Sequence, residues 1–267
     1  MSTEKNNITV IIPVHELTDE TTKLFDIAIE SIRQQRVKPD VVCIVVPKGS
    51  DAADKVEKYE FNLGDTIVST VFNDGETDFC SQVNLGIEKV PTEWFSILEY
   101  DDEYSTVWFD NVVKYIKAYP EVGIFMPMIA DVDKDGNYMG GTNEAVWANQ
   151  FSDEMGFLDT EALLRFQNFN TDGMVMKTEL IEEFGGFKPS IKLTFIYEFL
   201  LRMTSNDVKT MVIPKIGYKH MNLREGSLFQ GLREVMDDVE SRWWLQKAKK
   251  EYYWSEDRVI TYNKETA

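Results

Sequence analysis

The sequence predicts an α/β fold built on a mostly parallel central sheet flanked by helices. Three observations carry this expectation. Short apolar runs rich in β-branched residues recur at 8–14, 41–46, 66–72 and 94–98. Runs of that length and composition suit strands buried on both faces. Between them lie stretches with apolar residues at helical spacing. Strand and helix alternate through to the fourth strand, and that order calls for crossovers that lay the strands side by side in one direction.

The first run, Ile8-Thr9-Val10-Ile11-Ile12-Pro13-Val14, must place Pro13 near its end, because proline has no N–H for a central ladder. In 21–35, Leu24, Phe25, Ala28, Ile29 and Ile32 mark one face of a helix. The second run ends at Pro47-Lys48-Gly49-Ser50, and 51–59 has a helical pattern. A third helix is expected over 79–90, with Asp78 as its cap. Beyond the fourth strand the pattern loosens. A helix is expected over 107–119, a strand over 123–129 and a hairpin or long loop over 131–141, where Asp135-Gly136 signals a turn. Residues 142–172 resist assignment. A strand over 173–176 and a helix from 178 to Gly185-Gly186-Phe187 come next, then a helix over 195–203 and a last short strand over 209–213. Leu228, Leu232, Val235, Met236, Val239 and Trp243 trace an amphipathic stripe that predicts a C-terminal helix. With no linker in view, 1–267 is expected to be a single domain. A nucleotide-binding half would cover about 1–104, an acceptor-side half about 105–226, and a helical extension about 227–267.

Composition narrows the function classes. The chain has 267 residues, 43% of them hydrophobic, which suits a globular protein with a sizeable core. A formal net charge of −18 argues against a general affinity for nucleic acid or anionic lipid. Two cysteines make no disulfide framework, and Cys43 lies inside an apolar run. No run approaches the ~20 apolar residues of a membrane span, and the N-terminal stretch is polar. A soluble, cytoplasmic protein is the expectation; the oligomeric state is left open.

The most informative stretch is Trp94-Phe95-Ser96-Ile97-Leu98-Glu99-Tyr100-Asp101-Asp102-Glu103. An apolar strand ends abruptly in clustered carboxylates. In an open α/β sheet, ligands bind outside the carboxyl ends of the strands. Carboxylates crowded there repel one another, and a hard divalent cation such as Mg²⁺ or Mn²⁺ is their natural partner. An acidic loop facing water fits this stretch equally well. A rival acidic run, Asp131-Val132-Asp133-Lys134-Asp135-Gly136-Asn137, resembles the start of a calcium loop. It has Thr142 where such a loop needs a bidentate Glu. Trp147, Phe151, Phe157 and Phe166 suit either a sugar-stacking platform or core packing.

Taken together, the motifs resemble the family-2 glycosyltransferases of the GT-A fold, over about residues 8–228. Carrying the resemblance are the opening strand 8–16, Ser31-Ile32-Arg33-Gln34-Gln35, Val45 to Asp51 at the second strand's end, and Asn84-Leu85-Gly86. The acids Glu99-Tyr100-Asp101-Asp102 stand at the family's metal motif. Gly185-Gly186-Phe187, the helix from Glu198 to Arg202, and a late His220 followed by Ser227 complete the order.

This resemblance implies a metal-dependent transferase of the hexosyltransferase type. It would move a sugar from a nucleotide-diphospho-sugar to a hydroxyl of a glycan or other acceptor. It implies Mn²⁺ or Mg²⁺ held by Asp101, with Asp102 assisting and His220 approaching from the far side. Pro13, Val14, His15, Glu16, Lys48, Asn84, Glu99 and Tyr100 would surround the donor, with Lys219 and Arg224 near its phosphates. Three departures stand out. Pro47 and Lys48 occupy the place of the acid that commonly reads a uracil base. Glu99 replaces an Asp. Phe195 and Ile196 occupy the register of the usual Glu-Asp pair. Glu198 is therefore the candidate general base for an inverting displacement, with its pairing to Arg202 as the alternative role, and Asp172 is the second candidate. The competing expectation is a catalytically degenerate GT-A-like module that binds glycan or protein.

Overall fold

A computed structural model describes residues 6–59, 63–222 and 242, 243 and 246. The C-terminal amphipathic stripe and Arg224 fall outside the described residues, apart from Trp243.

The first half alternates as its periodicity predicts. The order is β1 (Ile8–Pro13), α1 (Asp19–Arg33), β2 (Val41–Pro47), α2 (Asp51–Val56) with a 3₁₀ turn (Glu57–Tyr59), β3 (Ile67–Asn73), α3 (Phe79–Ile87) and β4 (Trp94–Ile97). Thr18 caps α1 through a reciprocal box with Thr21, and Ser50 and Asp78 cap α2 and α3. β1 lies between β2 and β4, with β3 outside β2, and all three pairings are parallel. Their carboxyl ends therefore share one edge. β1 and β2 are buried on both faces, which is why they carry almost no polar residue.

The second half threads antiparallel strands into the same sheet. It comprises β5 (Glu103–Tyr104), α4 (Trp108–Ala118), β6 (Ile124–Val132), β7 (Tyr138–Thr142), a 3₁₀ turn (Glu144–Trp147), β8 (Phe157–Leu158), α5 (Thr160–Arg165), β9 (Val175–Lys177), α6 (Glu179–Phe184), α7 (Phe195–Ser205) and β10 (Thr210–Met221). Among the described residues the sheet has ten strands and runs β3-β2-β1-β4-β9-β6-β10-β5, with β7 on β6 and β8 on β10. β9 is antiparallel to both β4 and β6, and so joins the two parallel groups.

The expected hairpin at 131–141 is present as β6–β7. Asp133 is consumed by its own turn, accepting from the N–H groups of Asp135 and Asn137 and from the Asn137 amide. β10 corrects the sequence expectation. It runs twelve residues instead of ending near 213. Pro214, Lys215 and Gly217 break its apolar pattern, and the strand absorbs them with two register shifts against β6 between Ile213 and Tyr218. That continuation delivers Tyr218, Lys219 and His220 to the acidic turn.

Two cores flank the sheet. One face packs α1, α2 and α4 through Phe25, Ile29, Val56, Trp108 and Phe109. The other packs α3, α5 and α7 through Val83, Leu163, Phe199 and Leu200. α3 sits so close to the sheet that a Cβ on Gly86 would lie 2.5 Å from the Ile11 side chain. Cys43 and Cys80 are buried free thiols. Among the described residues, no helix is long and apolar enough to cross a membrane.

Candidate active site

The site grows from the end of β4. The Leu98 N–H donates to the Ile11 carbonyl, keeping the chain in the sheet for one residue more. It then turns, with the Asp102 N–H donating to the Glu99 carbonyl, and re-enters the sheet as β5 against β10. This turn points Asp102 inward. Asp102 is 2% exposed. One of its oxygens accepts from the Met221 N–H at 2.7 Å, and the other lies 3.0 Å from His220 Nδ1.

Asp172 approaches the same imidazole from the turn before β9, with Oδ2 at 3.7 Å from His220 Nδ1. Its position is fixed from several sides. The Gly173 N–H donates to the Ile97 carbonyl, and the Trp108 indole donates to the Gly173 carbonyl. Gly173 has φ +69° and presses on Tyr218, where an added Cβ would meet the ring at 2.5 Å. Only glycine meets both demands. The Tyr218 hydroxyl accepts from the Glu99 N–H. Asp102, Asp172 and His220 thus converge, with one ligand atom from each lying within 4.8 Å of the others.

The electrostatics follow from that crowding. Burial, then the charges of Asp172, Asp102 and Asp101, push Glu99 well above the usual carboxylate range. Burial raises Asp172 to about 7; His220 opposes the rise and Asp102 adds to it. Burial alone would lower His220, but the charge and hydrogen bond of Asp102, with Asp172 and Glu99, carry it to about 11. The imidazolium supplies the positive charge that these acids need.

A divalent ion fits this donor set. Donors about 2.1 Å from an octahedral ion lie roughly 3–4 Å apart, so the three side chains need little movement to share one. Two carboxylates and an imidazole make a donor set that could hold a divalent cation.

The other predicted residues are distributed as follows. The His15 and Tyr100 rings lie 5.3 Å apart at the ends of β1 and β4. Pro13 and Val14 are buried, whereas Glu16 and Lys48 are exposed on the same sheet edge. Asp101 is half-buried on the turn. Lys219 pairs with Glu103 across β10 and β5. Asn84 holds a turn. Its amide donates to the Phe187 carbonyl and accepts from the Phe187 N–H, so it pins the Gly185-Gly186-Phe187 turn to α3. Glu198 is fully buried in α7, where Arg202 takes both its oxygens and Lys188 lies 3.2 Å from one of them. Arg202 also donates to the carbonyls of Phe184, Gly185 and Gly186. The geometry brings together Glu99, Asp102, Asp172 and His220, and holds Asn84 and Glu198 at the glycine turn. Sequence reasoning did not single out Tyr218, Trp108, Asn143 or Asn170, whose contacts depend on distant partners that no local pattern announces.

Comparison with known proteins fits this geometry. The model of the family described as "Glycosyl transferase family 2" matches residues 9–181. The chain belongs to glycosyl transferase family 2. Solved structures give the family-2 chain its fold class. S. aureus TarS 1–349 in complex with UDP-GlcNAc superposes with a TM-score of 0.61 at 15% identity, over 84% of this chain and 60% of that one. The mannosyltransferase PcManGT from Pyrobaculum calidifontis, in complex with GDP-Man and Mn²⁺, gives 0.62 at 16%, over 84% and 59%. The family-2 chain spans about 60% of the length of such structures. A search of curated proteins finds no significant match to it. Its fold is the GT-A α/β fold.

Proposed function

We propose that this chain is a metal-dependent glycosyltransferase of the hexosyltransferase type, acting on a nucleotide-diphospho-sugar and an acceptor hydroxyl. The observation that carries the reading is the convergence of Asp102, Asp172 and His220 at the carboxyl edge of the sheet. These three would hold Mn²⁺ or Mg²⁺, with Asp101 and Glu99 beside them. When bound, the ion would neutralise charge on the departing diphosphate.

The chain's own residues do the rest. His15, Glu16, Tyr100 and Lys48 border the edge where base and ribose would lie. Lys48, standing where an acid commonly reads uracil, offers a donor to a base carbonyl. Solved structures of the same fold hold UDP-GlcNAc in one case and GDP-Man with Mn²⁺ in another. Inversion by in-line attack belongs to the proposal. Of the two carboxylates considered for removing the acceptor proton, Asp172 faces the cluster. Glu198 is engaged by Arg202 and Lys188, and we read it as a brace for the glycine turn. One GT-A unit, with the donor half within about 1–104 and the acceptor half after it, is the organisation we propose.

The test is donor hydrolysis and transfer with a panel of UDP- and GDP-sugars, with Mn²⁺ and with EDTA. Turnover that requires the ion, with the product anomer read by NMR, supports the proposal. Binding of a nucleotide sugar without hydrolysis or transfer at any condition points to the degenerate binding module instead.

A further inference from the structure

The 28 residues from Asn143 to Asn170 connect β7 to the turn ahead of β9, touching the sheet only through the short β8, and their two ends are tied to each other. Asn143 is 1% exposed. Its backbone is left-handed, with φ +73°, a conformation that asparagine tolerates better than most side chains. Both ends of its amide are committed. Nδ2 donates to the Pro127 carbonyl and to the Asn170 carbonyl, each at 2.9 Å, and Oδ1 accepts from the Asn170 N–H at 2.9 Å. Asn143 thus mimics a strand partner for Asn170 and fastens it to β6. Asn170 then reaches forward. Its side-chain amide donates to Asp172 Oδ2, the oxygen that faces His220, and its Oδ1 accepts from the Asp172 N–H.

We propose that Asn143 is a positioning residue for Asp172: it locks Asn170, and Asn170 aims the Asp172 carboxylate at Asp102 and His220. This inference rests on the reading of that cluster as the cation site. Partners behind a ligand shape its geometry, and their loss commonly weakens metal binding by about 10–100-fold. The relay also makes the neck of the acceptor-side excursion and the orientation of Asp172 one mechanical unit.

The experiment is calorimetric titration of the whole chain with Mn²⁺ alone, comparing the unsubstituted protein, Asn143→Gly, Asn143→Asp and Asp172→Ala. Glycine keeps the left-handed backbone and removes the amide. Aspartate keeps an acceptor for the Asn170 N–H and removes the donors. The expected result is a dissociation constant raised about tenfold or more by Asn143→Gly, and by less in Asn143→Asp. Melting in EDTA reports separately on the fold. Should Asn143→Gly fail to fold, Asn170→Ala carries the test, because it cuts the side-chain link to Asp172 and leaves the backbone bonds to Asn143 in place. Its Mn²⁺ affinity is expected to fall likewise. Near-unchanged affinity in the folded variants, alongside a clear loss in Asp172→Ala, overturns the relay and leaves the cation site standing. Absence of Mn²⁺ binding by the unsubstituted chain overturns the cation site and the relay with it.

Discussion

At the scale of single residues, the site is a problem in like charge. Several acids and one imidazole crowd together at a partly buried turn, where burial raises Glu99 and Asp172 and the neighbouring carboxylates raise His220. Asp102 has the most committed carboxylate, holding His220 with one oxygen and the Met221 N–H with the other. Asp102→Ala is therefore expected to lower Mn²⁺ affinity at least about 100-fold and to abolish transfer, as read by titration and product assay. Asp101→Ala is expected to weaken binding less, because the converging set is Asp102, Asp172 and His220. Much of this cluster was legible in the sequence. An apolar run ending in carboxylates names Glu99, Asp101 and Asp102, and a late histidine suggests His220. Asp172 was legible as an acid but not as a neighbour of Asp102, since that proximity exists only once β9 is antiparallel to β4. Asn143 was not legible at all, because its role is set by Pro127 and Asn170 and not by its chain neighbours.

At the scale of elements, the glycine turn after α6 is held by two helices at once. Asn84 of α3 grips Phe187, and Arg202 of α7 grips the carbonyls of residues 184–186. Removing Arg202 leaves Glu198 buried with Lys188 as its remaining charged partner. Arg202→Ala is expected to cost about 3–5 kcal/mol of stability, measured by denaturant unfolding. Glu198→Gln keeps the volume and the acceptor oxygen. If Glu198 is a brace, the folded Glu198→Gln enzyme retains most of its kcat; a loss of about 100-fold or more would restore it as the general base. Close packing of α3 on β1 gives a second stability prediction. Gly86→Ala is expected to destabilise by about 1–3 kcal/mol, because the new methyl meets Ile11 and Val45. The first four strands were legible as short apolar runs and most helices from their helical spacing, but α5 was not, lying in the unassigned stretch 142–172. β10 was not, because proline, lysine and glycine interrupt it and its register is supplied by β6.

At the scale of the whole molecule, the cluster ties stability to pH. Asp172 is raised from an ordinary 3.8 to about 7, so its contribution is full below 3.8 and lost as pH rises toward 7. His220 is raised from 6.5 to about 11, so its contribution is full below 6.5 and lost as pH rises toward 11. Both signs agree. The metal-free protein is expected to melt at lower temperature as pH climbs from 5 to 9, by about 2–4 °C for each kcal/mol lost. Asp172→Asn is expected to flatten the lower part of that slope, which separates it from the general self-repulsion of a chain with net charge −18. Mn²⁺ is expected to stabilise more at pH 8 than at pH 5, because protons compete with it for the same donors. Scanning fluorimetry with Mn²⁺ and with EDTA reads both effects.

The hydrogen bond between Asp102 and His220 spans 118 residues of sequence. A ribosome working from the N-terminus therefore releases the anionic turn long before the imidazole that neutralises it. Until β10 arrives, the nascent chain carries these carboxylates with their latch unmade, and it is β10 that completes the site.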